Sequence, residues 1–381
     1  MFYFPSPIKS ITIFVVASFP GSILSFRGEL LKAFYNKGHD VHVVAPGLNK
    51  RSGIRSELED LGFSAHNIIL NRRRISPFID LLTIINLFFL FYRFSPKIIF
   101  SYTIKPVIYS SIASRFFRFT DFYALITGLG YTFQITQHKK LPQYIAQLLY
   151  AFSLKSAKKV FFQNPDDRDL FKAKGFLLAR TPAIVVNGSG VDLDRFQVRP
   201  FPSKITFLLL GRLIKSKGIS EFVDAACILE SSCPTVKFQI AGDFEEGVDR
   251  ISKSQIESWQ RETCVEYLGN LQDVRPALAE TSVYVLPSWR EGTPRTVLEA
   301  MAIGRPIITT DVPGCRETVK DGYNGFLVPL SNSRLLAEAM RKFIDNPELI
   351  KIMGRRSRLI AEQKYDVRKV NSVIFREIGI G

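Results

Sequence analysis

The sequence predicts an α/β protein of two doubly wound domains, each built on a parallel sheet that helices cover on both faces. Short apolar runs rich in β-branched residues alternate with helical stretches along the whole chain. These runs are continuously apolar, as expected for strands that are buried on both faces. The pattern stops at a proline-rich segment, residues 198–203, and then begins again. A chain of 381 residues is long enough for two domains of about 190 residues each.

Six strands are expected in each domain, the first domain taking residues 1–195 and the second residues 196–355. Those of the first domain are predicted at residues 11–17, 41–45, 97–100, 122–125, 160–162 and 184–186. Those of the second are predicted at residues 205–210, 236–241, 265–268, 283–286, 307–309 and 326–328. Since ligands of such sheets bind beyond the carboxyl ends of the strands, two domains facing each other predict a binding cleft.

Composition excludes several classes of protein. The hydrophobic content of 46% and charged content of 23% argue against a disordered, collagen-like or coiled-coil chain. The four cysteines contain no Cys-x-x-Cys pair, so a reducing cytosol is the simplest compartment. The first apolar run has the length of a strand and lacks the organisation of a signal peptide. The longest uncharged helical segment, residues 81–92, is too short to cross a bilayer, so no transmembrane helix is expected.

Positive charge is concentrated in the first half of the chain. The net charge is +16, and residues 1–200 contain 26 Lys and Arg against 12 Asp and Glu. Residues 201–381 are nearly balanced, with 25 basic against 23 acidic residues. A basic half suits nucleic acid, an anionic membrane surface or an anionic substrate, and charge alone does not choose among them.

The densest chemical signal lies in residues 287–300, after the predicted strand 283–286. Thr293 is placed to cap a helix and Pro294 to occupy its first position. The first amides of this helix should then be free to bind an anion such as a phosphate. These amides belong to Arg295, Thr296 and Val297.

Two carboxylates flank this helix start, Glu291 in the loop before it and Glu299 in its second turn. Since carboxylates repel phosphates, their expected partners are hydroxyl groups, a ribose for Glu299 and a sugar ring for Glu291. A solvated loop glutamate and a surface helix glutamate are the simple alternative.

A cationic turn follows the first strand of the second domain. Gly211 permits close approach of the backbone, and Arg212 and Lys217 are placed to hold a diphosphate from the side opposite the Glu291 helix. Two solvated cations in a turn are the alternative, but the independent anion site in the same half of the chain favours binding.

These segments resemble the donor half of glycosyltransferase family four, whose members are retaining, metal-independent enzymes of the GT-B fold with two Rossmann-like domains. The resemblance rests on Gly211-Arg212, Lys217-Gly218, residues 291–294, Glu299-Ala300 and residues 304–314. Residues 38–44 and 187–196 are similar to the family's second strand and interdomain segment, so the resemblance extends along the whole chain.

The resemblance implies that Arg212 and Lys217 bind the donor diphosphate and that Glu291 holds the donor sugar, which makes these three the expected catalytic residues. The full donor site would comprise Gly21, Gly211, Arg212, Lys217, Gly269, Asn270, Glu291, Gly292, Thr293, Pro294, Arg295, Thr296, Val297 and Glu299. Fixed cations and a helix start stabilise a departing nucleoside diphosphate, so neither a metal nor another cofactor is expected. The Asp192-Leu193-Asp194 triplet, in the interdomain connection, is expected to be structural.

The acceptor loops of the family follow the strands of the first domain. A glycine turn at Pro20-Gly21-Ser22 is expected to approach the donor phosphates, with Arg27 at the opening of the next helix. A turn glycine without a ligand is the alternative. The other acceptor-binding residues would be Thr103, Lys105, Thr127 and Gly128. Their motifs contain no histidine or carboxylate, so the leaving phosphate is the expected proton acceptor, with His138 a distant candidate.

The Phe26-Arg27 pair, Lys105 and the loop at 127–130 resemble the bacterial subgroup that extends undecaprenyl-diphosphate-linked sugars, which includes α-1,3-N-acetylgalactosaminyltransferases. This implies a UDP-sugar donor, a lipid-diphosphate-linked saccharide acceptor, and a C-terminal helix, residues 356–381, that crosses back to the first domain. Basic residues flank the hydrophobic segment 81–92, namely Arg72, Arg73, Arg74, Arg93, Lys97, Arg115 and Arg118. They are expected to dock the protein peripherally on the cytoplasmic face of the plasma membrane. A core helix with solvated ends is the alternative.

The sequence therefore predicts a retaining hexosyltransferase of bacterial surface-polysaccharide or glycoprotein glycan synthesis. A GT-B-fold sugar-nucleotide epimerase is the nearer alternative. A basic nucleic-acid-binding protein is the alternative from another class, motivated by the pI of about 9.7. No nucleic-acid partner is expected, because the chain has no recognised nucleic-acid module and that function leaves Glu291 and Glu299 unexplained.

Overall fold

Two parallel sheets organise the chain in a computed structural model, which describes residues 10–72, 76–129, 141–247 and 249–380. The strands of the first sheet are β1 (Thr12–Val16), β2 (Asp40–Ala45), β3 (Ser64–Asn67), β4 (Ile98–Tyr102), β5 (Asp121–Ile126), β6 (Lys159–Phe162) and β7 (Ala183–Val185). Those of the second are β8 (Thr206–Leu210), β9 (Lys237–Ala241), β10 (Val265–Tyr267), β11 (Val283–Leu286), β12 (Ile307–Thr310) and β13 (Gly325–Val328). Their orders are β3-β2-β1-β4-β5-β6-β7 and β10-β9-β8-β11-β12-β13.

Helices follow the strands in both sheets. Between strands of the first sheet lie α1 (Gly21–Asn36), α2 (Gly53–Asp60), α3 (Pro77–Phe94), α4 (Ile104–Ser114), α5 (Leu141–Leu154) and α6 (Pro165–Ala173). The others are α7 (Ile219–Glu230), α8 (Lys253–Glu262), α9 (Arg275–Ala279), α10 (Arg295–Ile303), α11 (Ser333–Asp345), α12 (Glu348–Ile360) and α13 (Val367–Ile378). On one face of the first sheet, Leu87 of α3, Val107 of α4 and Tyr150 of α5 join Phe14 of β1 in one apolar core.

All twelve strands predicted from the apolar runs are present, and their ends differ from the prediction by no more than two residues. The prediction lacks β3, a strand of four residues at the edge of the first sheet. Ser64, His66 and Asn67 make this strand too polar to be recognised as an apolar run, since an edge strand needs little burial. The two doubly wound α/β sheets are confirmed.

The described residues form two compact units, one within Met1–Val186 and Asn371–Gly381 and the other within Asn187–Val370. The first unit is therefore discontinuous in sequence. In it, the ring of Phe375 packs on that of Phe34 with centroids 5.1 Å apart. These bounds differ from the expected ones at residues 195 and 355, because Val191 and Tyr365 belong to the apolar core around the second sheet.

Helix α3 is longer than the uncharged segment that predicts it. It has 18 residues, because Asp80 in its first turn and Arg93 in its last turn continue it beyond residues 81–92. Among the described residues it is the one helix that is long and apolar enough to cross a membrane, by length and composition alone. The uncharged segment 81–92 is shorter than the helix, since the count stopped at charged residues that a helix end accommodates.

Helix α1 begins at Gly21, so Pro20-Gly21-Ser22 is the start of a helix rather than a separate glycine turn. Pro20 has φ −63° and ψ −39°, values that lead directly into a helix. Arg27, which was expected to open the helix, consequently lies inside it.

Candidate donor site and acceptor loops

The cationic turn of the second unit is packed against the end of β11. Lys217 ends a short 3₁₀ helix, Lys215–Lys217, between β8 and α7. Gly218 follows with φ +73°, and a Cβ at this position would lie 2.1 Å from the carbonyl oxygen of Pro287. Only glycine satisfies both the backbone conformation and the close approach. The turn that carries Lys217 is thus fixed to the loop that carries Glu291.

Glu291 accepts a hydrogen bond from the ammonium group of Lys217. The two side chains are 15% and 16% exposed, and Ser288 Oγ lies 2.8 Å from the same carboxylate oxygen, Oε1. The far side of the loop packs on Gly314, where a Cβ would lie 2.2 Å from Glu291 O. The sequence assigned the lysine to a diphosphate and the glutamate to a sugar. The structure joins them in one ion pair at the site.

Arg212 is the more exposed of the two expected cations. Its side chain is 51% exposed, and Nη1 lies 3.3 Å from Glu245 Oε1. Because the Arg212 side chain is half exposed, solvent screens the pair in part, and a ligand anion can compete with the carboxylate. Gly211 lies beside the aliphatic part of Lys217, since a Cβ there would be 3.7 Å from Lys217 Cδ.

Helix α10 begins one residue later than expected. Pro294, with ψ 111°, occupies the cap position, and no side chain caps the helix. Thr293 does not cap it, because Pro294 is itself extended and the helix begins only at Arg295. The amide of Val297 donates to Pro294 O at 3.1 Å and is therefore not available to an anion, contrary to the prediction. The amides of Arg295 and Thr296 precede this first hydrogen bond of the helix.

Tyr284 on β11, which the sequence analysis missed, joins the start of α10 to the end of β8. It is fully buried, with its hydroxyl 2.9 Å from Leu210 O and 2.7 Å from Thr296 Oγ1. Because a phenol has one hydrogen, it donates to one of these two acceptors at a time. Burial raises the pKa of Tyr284, which keeps it neutral. The available signal was a tyrosine within a buried strand, whose hydroxyl needs a partner.

Glu299 is buried in α10, which excludes the solvated helix glutamate as its role. It is 6% exposed, and Oε1 lies 2.7 Å from Nε of Arg295, four residues earlier. Burial raises the pKa of the Glu299 carboxyl, while the neighbouring Arg295 acts in the opposite direction. Arg195 also lowers this pKa and Asp273 raises it, so both lie within electrostatic reach.

The remaining expected donor residues lie at the same edge of the second sheet. Gly269 and Asn270 follow β10, and Gly269 O accepts the amide of Gly242, which follows β9, at 2.9 Å. Because β10, β9, β8 and β11 are consecutive parallel strands, these loops, the Lys217 turn and the Glu291 loop all leave the carboxyl edge of the sheet. Gly292 lies between Glu291 and the cap of α10.

Over the described residues, no group of three His, Cys, Asp or Glu side chains is placed to hold a metal ion. Asp192 of the Asp-Leu-Asp triplet accepts the amides of Asp194 and Arg195 at 2.9 and 3.1 Å, which stabilises a local turn. Asp194 forms an ion pair with Arg368. The triplet thus has a structural role in the interdomain connection, as expected.

Two histidines pair beside the core of the first unit. His42 Nδ1 lies 2.8 Å from His66 Nε2, and His42 Nε2 lies 2.8 Å from Asp40 Oδ2. Both rings stack on Phe14. Burial, together with the charges of His42, Arg55 and Arg93, lowers the pKa of His66 to about 4.

Arg27 is buried in the first unit, which corrects the expectation that it is presented to an acceptor. It is 3% exposed, and its guanidinium carbon lies 5.4 Å from the ring centroid of Tyr102. The Tyr102 hydroxyl lies 3.1 Å from Ser22 Oγ, next to Gly21. Burial raises the pKa of Tyr102 to about 12. Arg27 therefore stabilises the first turn of α1 from the interior of the unit.

Thr103, at the end of β4, has the strained backbone that often marks a functional loop. Its φ is +69°, a region that β-branched residues avoid at a cost of roughly 1–3 kcal/mol. Thr103 Oγ1 donates to Ser18 Oγ at 2.9 Å, which ties the loop after β4 to the loop after β1.

Lys105 is paired with a carboxylate that the sequence analysis did not associate with the acceptor loops. Its Nζ lies 2.9 Å from Asp80 Oδ1, and both side chains are 14% exposed. Asp80 Oδ2 also accepts the amide of Ser76, which anchors the start of α3. Burial, followed by a hydrogen bond to Asp80, raises the pKa of Tyr109. The acceptor loops have no carboxylate of their own, but α3 supplies one.

The last acceptor loop is described in part. Thr127 and Gly128 follow β5, and Gly128 has φ +111°. Residues 130–140, which include His138, lie outside the described residues, as do Arg73 and Arg74.

Comparison with known proteins relates both units to sugar-transferring enzymes. A family model described as Glycosyl transferase 4-like matches residues 17–164, and one described as Glycosyl transferases group 1 matches residues 204–346. The chain is 26% identical over 348 residues to N,N'-diacetylbacillosaminyl-diphospho-undecaprenol α-1,3-N-acetylgalactosaminyltransferase of Campylobacter jejuni, covering 86% of this chain and 88% of the relative. It is 25% identical to UDP-Gal:α-D-GlcNAc-diphosphoundecaprenol α-1,3-galactosyltransferase of Escherichia coli, covering 85% and 84%.

Solved structures share the fold over almost the whole chain. Sucrose-phosphate synthase from Thermosynechococcus elongatus matches with a TM-score of 0.78 at 16% identity, over 97% of this chain and 99% of that one. The Anabaena protein HepE in complex with UDP matches with a TM-score of 0.76 at 19% identity, over 97% and 100%. At these identities the likeness shows the fold alone, and it confirms the predicted GT-B fold.

Proposed function

The chain belongs to the family-four glycosyltransferases of GT-B fold, and we propose that it transfers a hexose or N-acetylhexosamine from a UDP-sugar to an undecaprenyl-diphosphate-linked saccharide. It is a hexosyltransferase, since both matching family models and the named relatives are glycosyltransferases. In the proposed reaction the anomeric configuration is retained and no metal takes part. The sugar-nucleotide epimerase and the nucleic-acid-binding protein are not favoured.

The observation that carries the proposal is the Lys217–Glu291 pair beside the start of α10. A nucleoside diphosphate leaving an anomeric carbon gains negative charge, which an ammonium group and a helix start stabilise. Glu291, as an acceptor-only carboxylate, would bind hydroxyl hydrogens of the sugar once the phosphate engages Lys217. Buried Glu299 would accept a ribose hydroxyl.

For the acceptor, the proposal draws on the relatives and on the charge of the first unit. The two relatives named above act, by their names, on sugars linked to undecaprenyl diphosphate. Arg93, Lys97, Arg115 and Arg118 are exposed and would attract an anionic leaflet. We place the enzyme peripherally on the cytoplasmic face of a bacterial plasma membrane, in surface-polysaccharide or glycoprotein glycan synthesis.

The test is transfer from a panel of UDP-sugars to a short polyprenyl-diphosphate-linked sugar, in buffer with a metal chelator. We expect one donor to give a product whose new bond has the anomeric configuration of the donor. Lys217→Ala and Glu291→Ala should each reduce turnover at least about 100-fold, whereas Lys215→Ala, an exposed lysine of the same turn, should not. Unchanged turnover in both site variants would refute the site.

Thermal shift separates the alternatives cheaply. UDP should raise the melting temperature, and an oligonucleotide of similar charge should not. Conversion of the UDP-sugar to an isomer without any lipid acceptor would instead indicate an epimerase.

A further inference from the structure

Helix α3 presents a stripe of large apolar side chains to solvent. The spacing of three or four residues places all of them on one side of the helix. They are Phe78, Leu81, Ile85, Phe89 and Tyr92, with exposed fractions of 72%, 54%, 38%, 62% and 70%. An ordinary surface helix carries polar residues on this side.

The opposite side of α3 is apolar as well and faces the first sheet. Thr83, Leu87 and Phe91 are fully buried, and the latter two belong to the core with Phe14 of β1. A helix with one side packed in the core of an α/β unit lies along the surface of that unit. It therefore cannot span a bilayer without breaking the core, although its length and composition would allow it.

The apolar surface continues onto α5 and the end of α4. On α5 the exposed large side chains are Tyr144, Ile145, Leu148, Leu149 and Phe152, each 40–54% exposed. Phe116 and Phe119, after α4, are 73% and 82% exposed. The ring of Phe116 lies 5.5 Å from that of Phe88 on α3, and Arg115 lies 3.7 Å above the ring of Phe152. We call the exposed apolar side chains of α3, α5 and residues 116–119 the aromatic face.

The segments that carry the aromatic face are rich in positive charge. Residues 81–119 contain five basic residues and no acidic residue, and residues 141–158 contain two basic residues and no acidic one. The acidic residue next to α3's stripe, Asp80, is paired with Lys105 and only 14% exposed. A second copy of this face would not match its charge, because both are basic. An acidic protein surface would match the charge but not the aromatic side chains.

We propose that the aromatic face inserts into the interface of an anionic lipid bilayer, with α3 lying in the plane of the membrane. Aromatic rings are favoured at the boundary of headgroups and acyl chains, and the flanking guanidinium and ammonium groups pair with lipid phosphates. A patch of this size is uncommon on a monomer that has no partner. The inference rests on the proposed function and extends it, because the contact with the membrane is then apolar as well as electrostatic.

The fold also sets where the acceptor loops lie relative to the face. Helix α3 runs for about 27 Å, opposite in direction to the strands, so its first turn lies at their carboxyl ends. Asp80 in that turn contacts Lys105 beside the strained Thr103 loop. The face thus holds these loops at the level of the headgroups, where the diphosphate of a lipid-linked acceptor lies.

The test is flotation with vesicles of phosphatidylcholine containing about 30% phosphatidylglycerol, at about 0.1 M and about 1 M NaCl. We expect the full chain to remain bound at the higher salt. Phe89→Ser/Phe116→Ser, which keeps the charge, should lower the partition coefficient about tenfold or more at both salts. Arg93→Gln/Arg118→Gln should lower it mainly at the lower salt. Ile352→Ser/Leu359→Ser, exposed apolar residues of the second unit, should have no effect.

Release of the wild-type protein at high salt, or unchanged binding of the Phe89/Phe116 variant with an unchanged melting temperature, would overturn the proposal. So would a wild-type dimer in sedimentation that this variant converts to monomers. Transfer to the short-chain acceptor without vesicles should be the same in the variant and the wild type, which keeps the two proposals separate. If the wild-type protein transferred no sugar from any donor, the proposed function would be refuted and the vesicle result would be unaffected.

Discussion

Lys217 and Glu291 are 74 positions apart in the sequence, yet the lysine ammonium donates a hydrogen bond to the glutamate carboxylate. Their side chains are only 16% and 15% exposed, so each charge depends on the other for much of its stabilisation. In the proposed reaction, a diphosphate that binds Lys217 would take over this role and release Glu291 for the hydroxyl groups of the sugar. The pair would thereby couple binding of the phosphate to binding of the sugar.

A double-mutant cycle measures this dependence. Lys217→Ala alone should lower the free energy of unfolding by about 1–3 kcal/mol, because it leaves a largely buried carboxylate without its cation. Lys217→Ala/Glu291→Ala should lower it by clearly less than the sum of the single changes. Urea denaturation gives the three values, with Lys215→Ala as the control. Additive effects would show that the two groups do not interact.

Removal of the Tyr284 hydroxyl should loosen the anion site without unfolding the protein. Tyr284→Phe breaks the connection between Leu210 O and Thr296 Oγ1, so the start of α10 loses its tie to β8. We expect UDP to bind about tenfold more weakly by calorimetry, with a melting temperature within a few degrees of wild type.

Thr296→Val is the matched variant, because it removes the same contact from the other side. Combined with Tyr284→Phe it should weaken UDP binding no further. An affinity for UDP equal to that of the wild type in both variants would show that the connection is only structural.

Asp80→Asn should affect the acceptor and not the donor. The change removes the charge that holds Lys105 beside the Thr103 loop. We expect kcat/KM for the lipid-linked acceptor to fall about tenfold, with KM for the UDP-sugar unchanged. Asp121→Asn breaks a more exposed ion pair with Lys158, at the amino end of β5, and serves as the control. Equal losses of kcat/KM in both variants would show that Asp80 contributes to stability alone.

Stability should fall between pH 6.5 and pH 4 because of His66. Its pKa is lowered to about 4, so within this window the unfolded chain binds a proton that the folded protein does not. Protonation therefore favours unfolding, and stability is regained as the pH rises. After allowance for solvent screening at a partly exposed ring, the contribution is about 1–2 kcal/mol.

His66→Leu tests this assignment. Urea denaturation should show that the free energy of unfolding falls less from pH 7 to pH 5 in the variant than in the wild type. The expected difference is about 1–2 kcal/mol. An equal loss in both proteins would assign the acid sensitivity to other groups.

The sheets follow from the sequence because burial on both faces forces their strands to be continuously apolar. The runs at residues 11–17 and 283–286 are recognisable for this reason. An edge strand such as β3 does not need to be continuously apolar, and its polar residues prevent its recognition from the sequence. Helix ends are predicted less well, since Asp80, Arg93 and Pro20 are compatible with both a helix and a loop.

At the site, residue types follow from local motifs, but contacts do not. Glu291 and Lys217 are each recognisable from the motif around them, whereas their ion pair depends on the close packing at Gly218. Tyr284 and Asp80 were missed because they lie in a strand and a helix that the motif analysis treated as scaffold. Burial of Arg27 likewise results from tertiary packing that no local pattern records.

The discontinuity of the first unit has a consequence for the order of folding during synthesis. Phe375, which packs on Phe34, and Glu377, which pairs with Lys159, leave the ribosome only after residues 187–370 have been made. The second unit can therefore be complete while the first still lacks a helix that covers its hydrophobic surface. A chain interrupted after residue 370 would carry a complete second unit joined to a first unit whose hydrophobic surface is partly uncovered and prone to aggregation.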